Sequence, residues 1–126
     1  DHVGYLPYFR GMSTIDYSVL HGLPIAATVH IIDEGIDTGI ILKTFFYKPI
    51  KGMTFNDIES AILYKSQDRL IEVIKMLRAK KIQPKINQSN LGRQYYNLHP
   101  SLSLYVKSLC KRQILNLDYD GIDLYS

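Results

Sequence analysis

His2 and Asp37 stand 35 residues apart and are the residue types that a tetrahedral, oxyanion-bearing intermediate calls for. A histidine can donate to the oxyanion and relay a proton, and a carboxylate can accept one. On separate loops the two can divide these tasks if the fold brings them together. His2 is followed by Gly4-Tyr5-Leu6-Pro7-Tyr8-Phe9-Arg10-Gly11. Asp37 lies in the run His30-Ile31-Ile32-Asp33-Glu34-Gly35-Ile36-Asp37-Thr38-Gly39. Asp33, Glu34 and Asp37 also suit a plain polar turn, because Asp and Gly favour turns. His30 with these carboxylates could ligate a metal, but the spacing fits no standard site, so no metal is expected. His30 itself reads as a hydrogen-bonded core residue. Gly35 and Gly39 would let the main chain approach a flat ligand closely.

The elements around these residues follow from punctuation and periodicity. Gly4, Pro7 and Gly11 break both periodicities, so residues 2–12 read as a loop. Ser13 or Thr14 can cap a short helix through Leu20, which Gly22 and Pro24 end. The β-branched run Ala26 to Ile32 predicts a buried strand, and Ile40 to Lys48 a second one that Pro49 closes. The acidic loop therefore joins two strands at the edge of a sheet. Thr54 and Asp57 resemble a capping box and start a long helix over about residues 55–80. Phe55, Ile58, Ile62, Leu70, Ile74 and Leu77 recur on its inner face. Residues 82–98, rich in Gln, Asn, Ser and Gly, read as a long surface loop. Pro100 opens a short helix with Leu102, Val106 and Leu109 inward, and Asp120-Gly121 marks a turn.

Bulk composition narrows the classes. At 126 residues one core is expected. With 46% hydrophobic and 21% charged residues, wholesale disorder is excluded. A net charge of +3, spread rather than striped, gives no argument for a nucleic-acid partner. The single cysteine, Cys110, rules out an internal disulfide framework and suits a reducing cytosol. No apolar run approaches the roughly 20 residues of a membrane span, and no signal peptide is visible.

The pattern His-x-x-x-Leu-Pro-x-(Phe/Tyr)-Arg-Gly, followed by His-x-x-Asp-x-Gly-(Ile/Val)-Asp-Thr-Gly, resembles the tetrahydrofolate-dependent formyltransferases. The resemblance is close over residues 2–48, weaker to about residue 100 and absent beyond. It implies an α/β fold: the C-terminal half of a Rossmann-like domain, a mixed sheet with flanking helices. It implies transfer of a formyl group from 10-formyltetrahydrofolate to an amine. His2 is then the catalytic histidine, and Asp37 the aspartate that holds it charged and accepts a proton through water. Glu34, Gly35, Ile36 and Asp37 form the loop whose main chain grips the pterin ring. Arg10 and Gly11 shape the acceptor side, where Arg10 either touches an anionic acceptor or anchors the loop. The form of the Tyr5–Gly11 run is most similar to enzymes acting on nucleotide-linked amino sugars. Methionyl-tRNA and glycinamide-ribonucleotide formyltransferases, or a non-catalytic remnant of the fold, are the alternatives. The resemblance adds no membrane partner and leaves room for a homo-oligomer in the cytoplasm.

The family's third catalytic residue, an asparagine two positions before the histidine, falls just outside the chain. Residues 1–126 are accordingly expected to be one partial catalytic domain, inactive alone: catalytic loop and strands over 2–48, long helix over 54–81, loop and short helix over 82–126. Asn97-Leu98-His99-Pro100-Ser101-Leu102 imitates the family's Asn-x-His-Pro-Ser-Leu signature without the downstream acidic loop. His99 is therefore expected to start a helix rather than to catalyse. Ala26-Ala27 and Tyr17 depart from the family's usual glycine and tryptophan.

Overall fold

The computed structural model describes residues 1–112; the expected turn at Asp120-Gly121 lies outside the described residues. The stretch read as a loop contains a three-residue strand, β1 (Phe9–Gly11). It precedes a helix, α1 (Thr14–His21), which ends at Gly22 in the left-handed region. The cap of α1 differs from expectation. Ser13 is itself left-handed, with φ 51°, and its hydroxyl caps nothing; instead it accepts a hydrogen bond from the Leu98 N–H at 3.1 Å. The Thr14 hydroxyl donates to the Val3 carbonyl. Both hydroxyls are used to fasten other segments onto the helix start.

Two strands follow, β2 (Ile25–His30) and β3 (Ile41–Tyr47), paired antiparallel. The register runs from Ile25 opposite Tyr47 to Val29 opposite Lys43, then slips, so that His30 faces Ile41. Such an irregularity re-aims the side chain next to it. The strands are shorter than the expected 26–32 and 40–48; beyond His30 a single bond, from the Ile31 N–H to the Ile40 carbonyl at 2.9 Å, continues the pairing. Gly39 lies so close to the Ile31 carbonyl that a methyl group there would overlap it, which fixes where the two chains part.

A 24-residue helix, α2 (Phe55–Arg78), begins at the expected capping box. The Thr54 hydroxyl accepts from the Asp57 N–H at 3.2 Å, and the Asp57 carboxylate accepts from the Thr54 N–H at 2.8 Å. Its inner face buries Phe55, Ile58, Ile62 and Val73. Ile74 and Leu77, expected inward, are each 42% exposed, since only part of the apolar stripe meets the hairpin.

Residues 82–98 are more ordered than their composition suggests. Lys85 bridges to Ile41, and a 3₁₀ turn spans Ser89–Leu91. A short strand, β4 (Arg93–Tyr95), then pairs parallel with β1. The final described helix, α3 (Pro100–Lys111), has His99 as its cap, with Nδ1 accepting from the Ser101 N–H at 3.2 Å. Val106 and Cys110 point into the core, whereas Leu102 is 46% exposed, against expectation. Over the described residues the architecture is therefore α/β, with one antiparallel and one parallel strand pair and helices around a common core. That core joins Ile15 and Val19 of α1, the β2–β3 hairpin, Phe55, Ile58 and Ile62 of α2, and Val106 and Cys110 of α3.

Ile58 has no solvent exposure, so Ile58→Ala removes buried methylenes and leaves a cavity costing ~2–5 kcal/mol. Ile74→Ala, on the half-exposed face, should cost less than ~1 kcal/mol. Urea unfolding of the two variants checks the ranking; equal losses would mean that α2 buries both faces.

Candidate active site

The position of His2 is set by Thr28, a polar residue inside the apolar run of β2. The two residues exchange main-chain hydrogen bonds, each 2.8 Å long. The fully buried Thr28 hydroxyl donates to the Gly4 carbonyl at 2.7 Å and accepts from the Leu6 N–H at 3.3 Å. Leu6 and Phe9, 2% and 1% exposed, pin the loop from below. The imidazole of His2 then lies against Gly4, where a methyl group would overlap its Nε2. Nε2 sits 2.9 Å from the Phe9 carbonyl, an acceptor only, so that nitrogen carries the hydrogen.

Asp37 comes from the loop between β2 and β3. The Asp33 carboxylate closes this loop by accepting from the Gly35 N–H at 3.1 Å and the Thr38 hydroxyl at 2.6 Å. Asp37 adopts φ 53°, left-handed backbone that Asp tolerates better than most residues. Such conformations persist where surrounding contacts impose them. Here the Asn87 amide donates to the Asp37 carbonyl at 2.9 Å and to the Gly39 carbonyl at 3.0 Å. Arg10 donates to the Ile36 carbonyl at 3.3 Å, and the Gly11 N–H donates to Oδ2 of Asp37 at 2.8 Å.

These constraints bring His2 and Asp37 together, with Nδ1 of His2 3.4 Å from Oδ2. They bring a third group as well. Nε2 of His30 lies 3.5 Å from Oδ1 of Asp37, and the His30 side chain is only 8% exposed. His30 is thus part of the cluster, not the separate core residue its strand position suggested; the register slip at the end of β2 turns it there. Among the described residues no group of three or more His, Cys, Asp or Glu is arranged to hold a metal ion.

Burial pushes the pKa of His2 below the ordinary imidazole value, and nearby His30 pushes in the same direction. The Phe9 carbonyl and the Asp37 carboxylate pull upward without prevailing. A largely buried ring loses more hydration than one partly exposed carboxylate returns. Glu34, Gly35 and Ile36 stand exposed at the loop's tip, with the Gly35 N–H and the Ile36 carbonyl already bound by Asp33 and Arg10. Arg10 anchors the loop through its guanidinium, while its buried Nε finds no partner among the described residues. His99 is remote in role, occupied in capping α3.

Four participants escaped sequence reasoning. Thr28 left a signal, a hydroxyl in an otherwise apolar strand. Gly4 was read only as a loop breaker, and His30 as a core residue. Asn87 left no signal at all, because its partners lie 50 and 48 residues away.

Asp37 raises the pKa of His2, so Asp37→Asn should lower it further. NMR titration of the imidazole reads this directly: a wild-type midpoint below the ordinary value, and a lower one in the variant. An upward shift in Asp37→Asn would mean that the two groups do not interact as their geometry indicates.

No protein-family model matches the chain. Methionyl-tRNA formyltransferase of Corynebacterium glutamicum is 33% identical over 88 residues, which is 69% of this chain and 28% of that relative. The same enzyme of Gloeothece citriformis is 33% identical over 93 residues, 72% of this chain and 28% of the relative. The chain thus spans little more than a quarter of the curated relatives it matches. Among solved structures, a formyltransferase of Anoxybacillus kamchatkensis superposes with a TM-score of 0.65 at 26% identity. It covers 95% of this chain and 57% of its own, and was solved with a UDP-linked formamido sugar and tetrahydrofolate. A 4-N formyltransferase of Francisella tularensis gives 0.63 at 28% identity, over 75% of this chain and 38% of its own. Sequence and fold agree, and the chain belongs to the formyltransferase family.

Proposed function

We propose that the protein carrying this chain transfers a formyl group from 10-formyltetrahydrofolate to an amine on a nucleotide-linked sugar. The observation that carries the reading is the pairing of His2 with Asp37, the latter held by the Gly11 N–H. Attack of the amine on the formyl carbon places negative charge on the formyl oxygen and positive charge on the nitrogen. In this reading Nδ1 of His2 is the nitrogen open to chemistry, since Nε2 is tied to the Phe9 carbonyl. Asp37 accepts the proton that the amine gives up and hands it to Nδ1, which, once protonated, donates toward the oxyanion. The leaving folate nitrogen takes up one proton as the tetrahedral intermediate collapses.

The folate would lie along the main chain of Glu34, Gly35, Ile36 and Asp37, with Asp33 and Thr38 keeping that loop in shape. On the acceptor side stand Arg10 and Gly11. A cavity of about 490 Å³ opens along the Tyr5–Tyr8 stretch, lined also by Phe46, Lys85 and Gln88 but by none of His2, Arg10, Gly11 and Asp37. The Anoxybacillus structure, with its sugar nucleotide, supports the choice of acceptor. The curated relatives favour a second reading, methionyl-tRNA as acceptor. The compartment we propose is the reducing cytosol, which the buried free thiol of Cys110 supports.

With the full-length protein, release of tetrahydrofolate in the presence of a nucleotide-linked amino sugar is expected; release only with methionyl-tRNA would move the assignment to the second reading. Asp37→Asn keeps shape and hydrogen bonding but cannot take a proton, so turnover should fall by ~10²-fold or more with folate affinity retained. His99→Ala should stay within a few-fold of wild type. Steady-state kinetics on both variants decide the assignment: an active Asp37 variant or an inactive His99 variant reverses it.

A further inference from the structure

His2 and His30 are held alike. A neutral imidazole has one N–H. At His2 it is committed to the Phe9 carbonyl at 2.9 Å, and at His30 Nδ1 is committed to the Ile31 carbonyl at 3.0 Å. The remaining nitrogens, Nδ1 of His2 and Nε2 of His30, therefore turn lone pairs toward the two oxygens of one carboxylate, at 3.4 and 3.5 Å. Lone pair against carboxylate is repulsive on both sides until a proton enters, and one proton turns either contact into an ion pair. Two protons would set both rings positive with their centroids 6.3 Å apart. The arrangement thus has two alternative seats for one proton, joined by Asp37. Of the titratable groups, Asp37 meets His30 at 3.5 Å and the His2 ring lies edge-on to it. Arg10 reaches the same loop one residue earlier, at the Ile36 carbonyl.

Formyl transfer creates a use for the second seat. A neutral amine gives up one proton and the leaving folate nitrogen takes one up, so the exchange balances. An acceptor arriving as an ammonium ion brings one proton more. We propose that His30 is the exit for that surplus proton: it receives one from Asp37 on Nε2 and gives up the one on Nδ1 to water beyond the Ile31 carbonyl. The His30 side chain is itself only 8% exposed, and its outlet is the Nδ1 edge, whose contact with the Ile31 carbonyl lies at the exposed end of the cluster. His30 is thus a positioning and relay residue acting through Asp37, and does not touch the substrate. The proposal rests on the formyl-transfer reading above.

Two measurements on the full-length protein test it. In the first, ring-nitrogen NMR titration of wild type and Asp37→Asn is independent of activity. The wild-type ring-nitrogen signals should place the hydrogens on Nε2 of His2 and Nδ1 of His30, and the variant should perturb both rings; unmoved His30 signals overturn the proposal. In the second, His30→Gln should lower kcat by ~10²-fold while leaving the KM for folate within about two-fold. The deficit should deepen as pH falls and more of the acceptor is protonated, and added imidazole should restore His30→Ala. Wild-type kcat across the pH range, failure of imidazole rescue, or a matching rise in KM would each show a merely structural histidine. If the wild-type protein transfers no formyl group, the parent reading fails by itself, and the titration still decides whether the three groups share a proton.

Discussion

One charge-assisted hydrogen bond, from the Gly11 main chain to the Asp37 carboxylate, joins the two halves of this site. Bonds of this kind are short and about twice as strong as neutral ones. Its donor belongs to β1, which exists as a strand only because β4 pairs with it. Its acceptor sits on a loop whose ends are set by the β2–β3 hairpin. Neither partner is held by a long element of its own. The contact converts two short, separately fastened segments into one rigid frame, and His2 and His30 take their bearings from the carboxylate it fixes.

The same frame explains why so many main-chain groups near the site are bound by side chains from elsewhere. Thr28 secures the Gly4–Leu6 turn, Asn87 the Asp37–Gly39 turn and Arg10 the Ile36 carbonyl. A loop of irregular backbone cannot satisfy its own polar groups as a helix does, so these side chains complete the accounting. They also hold Asp37 in its left-handed conformation. Glycines do the complementary work: Gly4 gives room to the His2 ring and Gly39 to the Ile31 carbonyl.

Much of this was legible from residue order, and the rest was not for identifiable reasons. The hairpin and α2 announce themselves because β-branched runs, Pro49 and the Thr54–Asp57 box are local signals. The helix-starting role of Pro100 and His99 is equally local. By contrast, β1 and β4 are three residues each and owe their form to a partner more than 80 positions distant. Periodicity correctly marked the buried Ile58 and Ile62 but overextended the stripe to Ile74 and Leu77, because it reports apolar spacing and not what lies opposite. His2 and Asp37 were found through their motif. The turn of His30 toward Asp37 depends on a slip in register, which no spacing rule contains.

The Asn87 amide closes a loop of 50 residues onto the Asp37 carbonyl, and the Ser13 hydroxyl closes one of 85 residues onto the Leu98 N–H. Closing such loops costs chain entropy before any contact rewards it. The contacts themselves are polar and bury little apolar surface, unlike the helix and hairpin beneath them. α2 and the β2–β3 hairpin draw on neighbours close in sequence, whereas the 85–98 segment depends on distant ones. The core and the Asp37 loop thus rest on different kinds of contact, and the loop can lose its Asn87 clamp without the core opening.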